Sequence, residues 1–253
     1  MSPAPAEVRI IPLPVVGEIP VDADLAALVL SAAKDRGVTL QTNDVLIVTQ
    51  KVVSKAEGRI VRLEDVEPSP FAIQFAEQYG KDARQVEIVL SETRRIVKMD
   101  RGVLVSETHH GFVCANAGVD ASNVGSSVVS LLPEDPDRSA AVLRARFHEV
   151  AGVSPAVIIT DTFGRPWRNG LTNVAIGVAG MDALHSYAGQ RDPYGYELKV
   201  TVVALADELA SAAELVMGKT DGVPFAIVRG VPFEPTDGTA QALVRTAAED
   251  LFR

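Results

Sequence analysis

Residues 155–178 read PAVIITDTFGRPWRNGLTNVAIGV, and this stretch decides the fold class. Its first six residues, PAVIIT, form an uninterrupted apolar run of strand length, which is the pattern of a strand buried on both faces. Residues 172–178 read as a second strand, and the polar DTFGRPWRNG between them reads as a loop. Residues 44–49 (DVLIVT) form another buried strand, while residues 8–13, 102–106, 111–115, 198–205 and 225–228 give further strands. The pair 102–106 and 111–115 is expected to be a hairpin through residues 107–110. Helical spacing falls at residues 25–34, 71–79, 83–90, 139–150, 206–217 and 239–251. Asp135 is the expected cap of the fourth of these, with Pro136 at its first position. The whole is a mixture of α and β without repeats or low-complexity tracts.

The chain has 253 residues, 24 Lys+Arg against 33 Asp+Glu, a formal charge of -9 and 47% hydrophobic residues. That length suits one or two domains. Two prolines and three acids at residues 131–138 (LLPEDPDR) mark a junction between two lobes. No apolar run approaches the roughly 18 residues of a membrane span, and the N-terminus lacks a secretory signal, so a cytoplasmic protein with no membrane partner is expected. The acidic balance argues against nucleic acid, whose nonspecific binding rests on clustered Lys and Arg. One cysteine, Cys114, closes no internal disulfide and builds no thiolate metal cluster.

Three segments carry candidate chemistry. Residues 49–59 (TQKVVSKAEGR) crowd three cations and two hydroxyls onto one turn at a strand exit, where phosphate ligands are often met. A solvated strand end is the plain alternative. Residues 115–125 (ANAGVDASNVG) combine small residues with Asp120 and Asn123, hard oxygen donors of the kind Mg²⁺ or Mn²⁺ prefers. A self-capped turn explains them equally. Residues 159–170 place Asp161 and Thr162 at a strand exit, followed by Arg165 and Arg168 around the sole tryptophan, Trp167. Asp120 and Asp161 can share a divalent ion if their strands are neighbours. The two arginines suit a carboxylate or phosphate, or a cation–π pair with Trp167. Arg191 stands in a polar loop that an internal ion pair would also explain. Asp207 and Glu208 open a helix, where acids complement the helix dipole.

Residues 217–220 (MGKT) end like a phosphate-binding P-loop, but Ala213 stands where that motif needs glycine, and the run follows a helix instead of preceding one. Neither GxGxxG nor GxSxG occurs, so Rossmann and P-loop folds and acyl-enzyme chemistry have no anchor. Metal plus nucleotide is the better enzyme reading.

Taken together, TQKVVSKAEGR, NAGVDASNVG, ITDTFGRPWRNG, YAGQRDPYGYEL and ALADELASAAELVMGK resemble, in order and spacing, the coenzyme F420-0:L-glutamate ligase family, also called F420 gamma-glutamyl ligase. The resemblance runs from about Ile10 to the C-terminus. It implies an α+β subunit of two lobes with mixed or mainly antiparallel sheets, a single ligase module over residues 1–253 without a nitroreductase-like domain, and a homodimer. The implied activity is GTP-dependent attachment of L-glutamate to coenzyme F420-0 through an acyl phosphate, with further gamma-linked glutamates possible.

By position, the resemblance assigns Asp120 and Asp161 to a first divalent ion, Mg²⁺ or Mn²⁺, and Thr162 to a second, with Glu208 as a further candidate there. K⁺ is the candidate accessory ion. Gln50, Lys55 and Asn123 are assigned to GTP, together with Glu18, Ile19, Pro20 and Val21. Arg165 and Arg168 join Asp120 and Asp161 as candidate catalytic groups, and Arg191 is a candidate anion contact. Two alternatives stay open: a related ligase with another acceptor, and a deazaflavin-binding module without turnover. The Asp120 and Asp161 pair argues against the second, because a passive carrier needs no divalent ion.

Overall fold

The computed structural model describes residues 7–122 and 127–250. In chain order the strands and helices begin with β1 (Arg9–Leu13), α1 (Leu25–Asp35), β2 (Val45–Thr49), α2 (Gln50–Ala56), β3 (Ile60–Arg62), α3 (Pro70–Tyr79) and α4 (Ala83–Ser91). There follow β4 (Thr93–Asp100), β5 (Val103–Thr108), β6 (Val113–Ala115), β7 (Val128–Ser130) and α5 (Pro136–Ala151). The chain continues with β8 (Ala156–Arg165), β9 (Arg168–Ala179), β10 (His185–Ser186), β11 (Val202–Val203), α6 (Leu205–Met217) and β12 (Phe225–Arg229).

Five strands form the central sheet in the order β1-β12-β2-β8-β9. Only β2 and β8 run parallel; the other neighbours are antiparallel. Alternation along each strand builds two apolar layers. Leu46, Val48, Val157, Ile159, Phe225 and Ile227 face α1 and α5, while Val45, Ile47, Ala156, Ile158, Ala226 and Val228 face α6. Burial on both faces explains why these strands read as unbroken apolar runs. Helix α5 starts as its sequence dictates, with the Asp135 carboxylate accepting from the Arg138 amide at 3.0 Å and Pro136 in the first turn. Its first turn lies so close to β9 that a Cβ on Gly177 would stand 2.3 Å from the Pro136 carbonyl oxygen.

A second lobe is inserted between α2 and α5. The sheet β4-β5-β6 and the pair β3-β7 pack with α3 and α4 around their own clusters, one on Phe75, Val86, Val89 and Leu104, the other on Leu63, Ile88, Val129 and Leu131. Leu131 belongs to this lobe and Leu132 to the core beneath the central sheet. With a mixed central sheet and antiparallel smaller sheets, the fold is α+β.

Four expectations require correction. Residues 49–59 are no turn: Gln50–Ala56 is helical, because Val52, Val53 and Ala56 lie at helical spacing on a buried face. The polar run between the strands at 155–160 and 172–178 is no loop either. β8 and β9 continue through it as one hairpin, paired Thr162 to Asn173 and Phe163 to Thr172, and turning at Pro166 and Trp167. Of residues 198–205 only Val202–Val203 forms a strand, against His185–Ser186; Leu198 and Thr201 make backbone bonds with Gly189, Gln190 and Tyr187, and exposed Lys199 and Val200 bend the chain between them. The terminal helix is reduced to a 3-10 turn at Ala240–Leu243. Ala240 is fully buried and its amide is held by Asp137 at 2.8 Å; Leu251, the last residue of the expected helix, lies outside the described residues. Strands β3, β4, β7 and β10 are additional; the charged TRRIVKMD of β4 hid its pairing with β5.

Candidate active site

Because β2 and β8 are parallel neighbours with Thr49 opposite Thr160, their carboxyl ends open at the same edge of the sheet. That edge carries Gln50 and Lys51 from α2, and Asp161 and Thr162 from β8. Asp120 arrives from the second lobe, held by backbone bonds in both directions with Ser130 at 3.0 and 2.8 Å.

Lys51 Nζ lies 2.8 Å from Asp120 Oδ2 and also donates to the Ser122 hydroxyl. The Ser122 amide donates to Asp120 Oδ1 at 2.7 Å. Burial pushes the Asp120 carboxyl up, but the hydrogen bonds from Lys51 and Ser122 outweigh it and hold the group below the usual carboxylate range. Asp161 goes the other way. Desolvation, with the charge of Asp120 added, pushes it up to about 6, against partial relief from the Thr162 amide and from Lys51 and Lys219. The two carboxylates are thus brought within each other's field and pushed apart in acidity, the signature of a built site. Cys114 sits in the same field; burial, reinforced by Asp161, pushes its thiol up to about 12, which leaves it a neutral core group and no nucleophile.

Beside Asp161, the Thr162 hydroxyl donates to Asn173 Oδ1 at 2.8 Å and accepts from Lys219 Nζ at 2.8 Å. Lys219 also reaches Asn173 Oδ1 at 3.1 Å and Glu214 Oε1 at 2.8 Å. Glu208 is not brought to this group. Asp207, Ser211 and Glu214, one helical face, turn toward β9, so Glu208 is left exposed. Asp207 accepts from the Ala175 amide at 2.8 Å.

Lys55 and Glu18 are joined at 2.7 Å, and Lys55 holds the Glu18 carboxyl below its ordinary value. Residues 18–22 lie along the end of α2, where the Asp22 amide donates to the Ala56 carbonyl at 2.8 Å. This packing brings Ile19, Pro20 and Val21 to that helix end, with Ile19 against the core. Gln50 is buried and accepts from the Ser54 hydroxyl at 2.8 Å. Asn123 lies outside the described residues.

Arg165 and Arg168 do not join the carboxylates. They are exposed at the hairpin tip, and four strand residues put Arg165 about 13 Å from Asp161. Arg165 donates to the Asn169 carbonyl at 3.1 Å, and Arg191 is spent within its own loop on Gly195 and Glu197. Lys219, Asn173 and Glu214 went unrecognised as a group. The lysine of the MGKT run was the available signal.

Fold and site define a class: an α+β chain with a cluster of carboxylates and lysines at the exit of two parallel strands, without P-loop or Rossmann motif. The family model described as F420-0:Gamma-glutamyl ligase matches residues 15–230. A coenzyme F420:L-glutamate ligase of Methanopyrus kandleri is 48% identical over 97% of each chain. Its namesake in Methanothermobacter thermautotrophicus is 47% identical over 91% of this chain and 92% of its own, and that of Methanocaldococcus jannaschii 41% identical over 85% and 86%. The chain belongs to the F420-0:gamma-glutamyl ligase family, and it is an enzyme, a ligase.

Proposed function

We propose that this protein joins L-glutamate to coenzyme F420-0 in coenzyme F420 biosynthesis, using GTP, and extends the product by gamma-linked glutamates. The observation that carries the reading is the meeting of Asp120 and Asp161 from different lobes beside Lys51, in a chain related over nearly its whole length to coenzyme F420:L-glutamate ligases.

A carboxylate does not react with an amine at neutral pH, because its oxide is a poor leaving group. In the proposed reaction the substrate carboxylate oxygen attacks the γ-phosphorus of GTP, forming an acyl phosphate as the bond to GDP breaks. The glutamate amine then attacks the acyl carbon, the bond to phosphate breaks, and an amide remains. Charge neutralisation and positioning dominate such phosphoryl transfer.

Two neighbouring carboxylates, one raised chiefly by burial and further by the charge of the other, suit a hard divalent cation completed by phosphate or water oxygens. We assign Mg²⁺ or Mn²⁺ to Asp120 and Asp161, where it would supply neutralisation of phosphate charge. Lys51 keeps Asp120 ionised and adds a mobile ammonium at the same edge. The Glu18–Lys55 pair, Gln50 and the 18–21 segment form the proposed nucleotide wall. Asn123 is the proposed further contact.

Among the described residues no helix is long and apolar enough to cross a membrane. We propose a cytoplasmic homodimer; Trp167 and Leu171, 82% and 69% exposed on the β8–β9 arm, give self-association an apolar surface. Light scattering after gel filtration would return twice the chain mass.

Incubation with F420-0, L-glutamate, GTP and Mn²⁺ or Mg²⁺ should yield a glutamate-sized mass increase and GDP only when all components are present. Nucleotide binding without any mass change would instead direct the search to another acceptor.

A further inference from the structure

His109 and His110 stand side by side in the turn between β5 and β6, and they face different parts of the molecule. The exposed His109 bonds through Nε2 to the Ser91 carbonyl at 3.0 Å, inside the inserted group of elements to which it belongs. His110 reaches out of that group. Its Nε2 lies 2.9 Å from the Pro133 carbonyl oxygen and 3.1 Å from that of Glu134. Both partners can only accept, so Nε2 carries the proton and donates to them. Pro133 and Glu134 directly precede Asp135, the cap of α5, and α5 is fastened to the central sheet by the Asp137 carboxylate, which accepts from the Val178 amide at 2.8 Å. The His110 ring also lies flat on Phe112, with centroids 5.5 Å apart and planes at 16°. The Thr108 amide donates to the Phe112 carbonyl at 2.8 Å and the Gly111 amide to the Thr108 carbonyl at 3.0 Å, so the turn moves as one piece.

The His110 bond holds Phe112 in place. That ring leaves its own group, packs against the apolar layer under α1 and α5, and meets Phe163 edge to face at 6.3 Å. Phe163 follows Asp161 by two residues in β8, so both project from the same face of the strand. Phe112 begins the run that passes through β6 and Asn116–Gly118 to Asp120. The contact of the two phenyl rings thus joins the two stretches of chain that bear the carboxylates.

Resting on the ligase reading above and on its divalent ion at Asp120 and Asp161, we infer that His110 is a positioning residue of the reaction: by donating from Nε2 to the Pro133 and Glu134 carbonyls it seats Phe112 on Phe163, and so sets the spacing at which the two carboxylates share a divalent ion. His110 transfers no proton and touches neither ion nor substrate. Metal ligands have to be held to within about 0.5 Å of their working geometry, which packing and hydrogen bonds behind them provide. When the donor is lost the carboxylates and their burial remain and their separation changes, so the effect falls on metal affinity.

The test is the Mn²⁺ dissociation constant of the full chain without nucleotide or substrate, read from the free-ion electron paramagnetic resonance signal, beside the melting temperature. His110→Phe keeps a ring on Phe112 and loses the donor; it should weaken Mn²⁺ binding by about tenfold or more while still folded at the assay temperature. His110→Gln brings an amide N–H to the place of Nε2 and should return most of that affinity. His109→Phe, whose bond stays within its own group, should bind as wild type does. Wild-type affinity in His110→Phe, an equal loss in His110→Phe and His110→Gln, or the same loss in His109→Phe would overturn the inference while leaving the ligase reading in place. Should His110→Phe fail to fold, His110→Leu against His110→Gln makes the same comparison. No Mn²⁺ binding by wild type would overturn the inference together with the metal assignment, whereas a wild type that binds Mn²⁺ and adds no glutamate would count against the ligase reading alone.

Discussion

Asp161 shows how one position ties sequence, electrostatics and stability together. Its carboxyl is raised to about 6 in the folded protein, above the value of an unfolded chain, so between about pH 4 and 6 the folded state holds the proton more tightly. Stability of the metal-free protein therefore falls as pH rises through that window, by an amount on the order of 2 kcal/mol. Asp161→Asn removes the charge and keeps the shape. Thermal melting should find it more stable than wild type at pH 8 and equal at pH 4, while calorimetry finds Mn²⁺ binding lost and turnover disappears. Equal melting temperatures at pH 8 would refute desolvation as the cause. Asp120 and Asp161 were legible in the sequence because each follows a recognisable apolar run among small or hydroxyl residues. Asn173 and Glu214 were not, because each is unremarkable where it stands, and Lys219 was visible only as part of a run that fails as a P-loop; their convergence is a tertiary fact.

At the level of elements, the strands buried on both faces were readable, since unbroken apolar runs such as VLIVT and AVIIT have few other uses. The hairpin of β8 and β9 was not, because its outer half is polar and takes its pairing from register with the inner half. Strand β12 depends on a similar long-range tie. Arg229 grips the fully buried Asp44 by two bonds of 2.7 Å and also donates to the Thr39 carbonyl at 2.8 Å, pinning the turn before β2 to the end of β12. Arg229→Leu leaves the Asp44 charge buried and unpaired, a loss of about 3–5 kcal/mol. Urea unfolding should show a lower midpoint at unchanged slope. A loss under about 1 kcal/mol would mean that solvent reaches Asp44 once the arginine is gone.

At the level of the molecule, the proposed site draws Asp120 and Asp161 from two separately packed groups of elements. Arg59 joins them, donating from Nε to the Leu132 carbonyl at 3.0 Å and from Nη2 to Glu92 at 2.9 Å, and the Phe112 and Phe163 rings meet edge to face 6.3 Å apart. Arg59→Ala should speed amide exchange in β5, β6 and the segment bearing Asp120, leave the central strands β2 and β8 protected, and weaken Mn²⁺ binding several-fold. Uniform loss of protection across the chain would mean that the lobes unfold as one unit. The sequence by itself determined the buried strands, the N-terminal cap of α5 and the family, and it singled out Asp120 and Asp161, because each is written in local pattern or in motifs of fixed spacing. Tertiary structure alone decided that Gln50–Ala56 is a helix, that Arg165 and Arg168 stand away from the carboxylates, that Glu208 faces solvent, and that Lys219 meets acceptors from β8, β9 and α6. Those outcomes depend on which residues distant in the chain share a register or a helix face, and short-range pattern carries no record of that pairing.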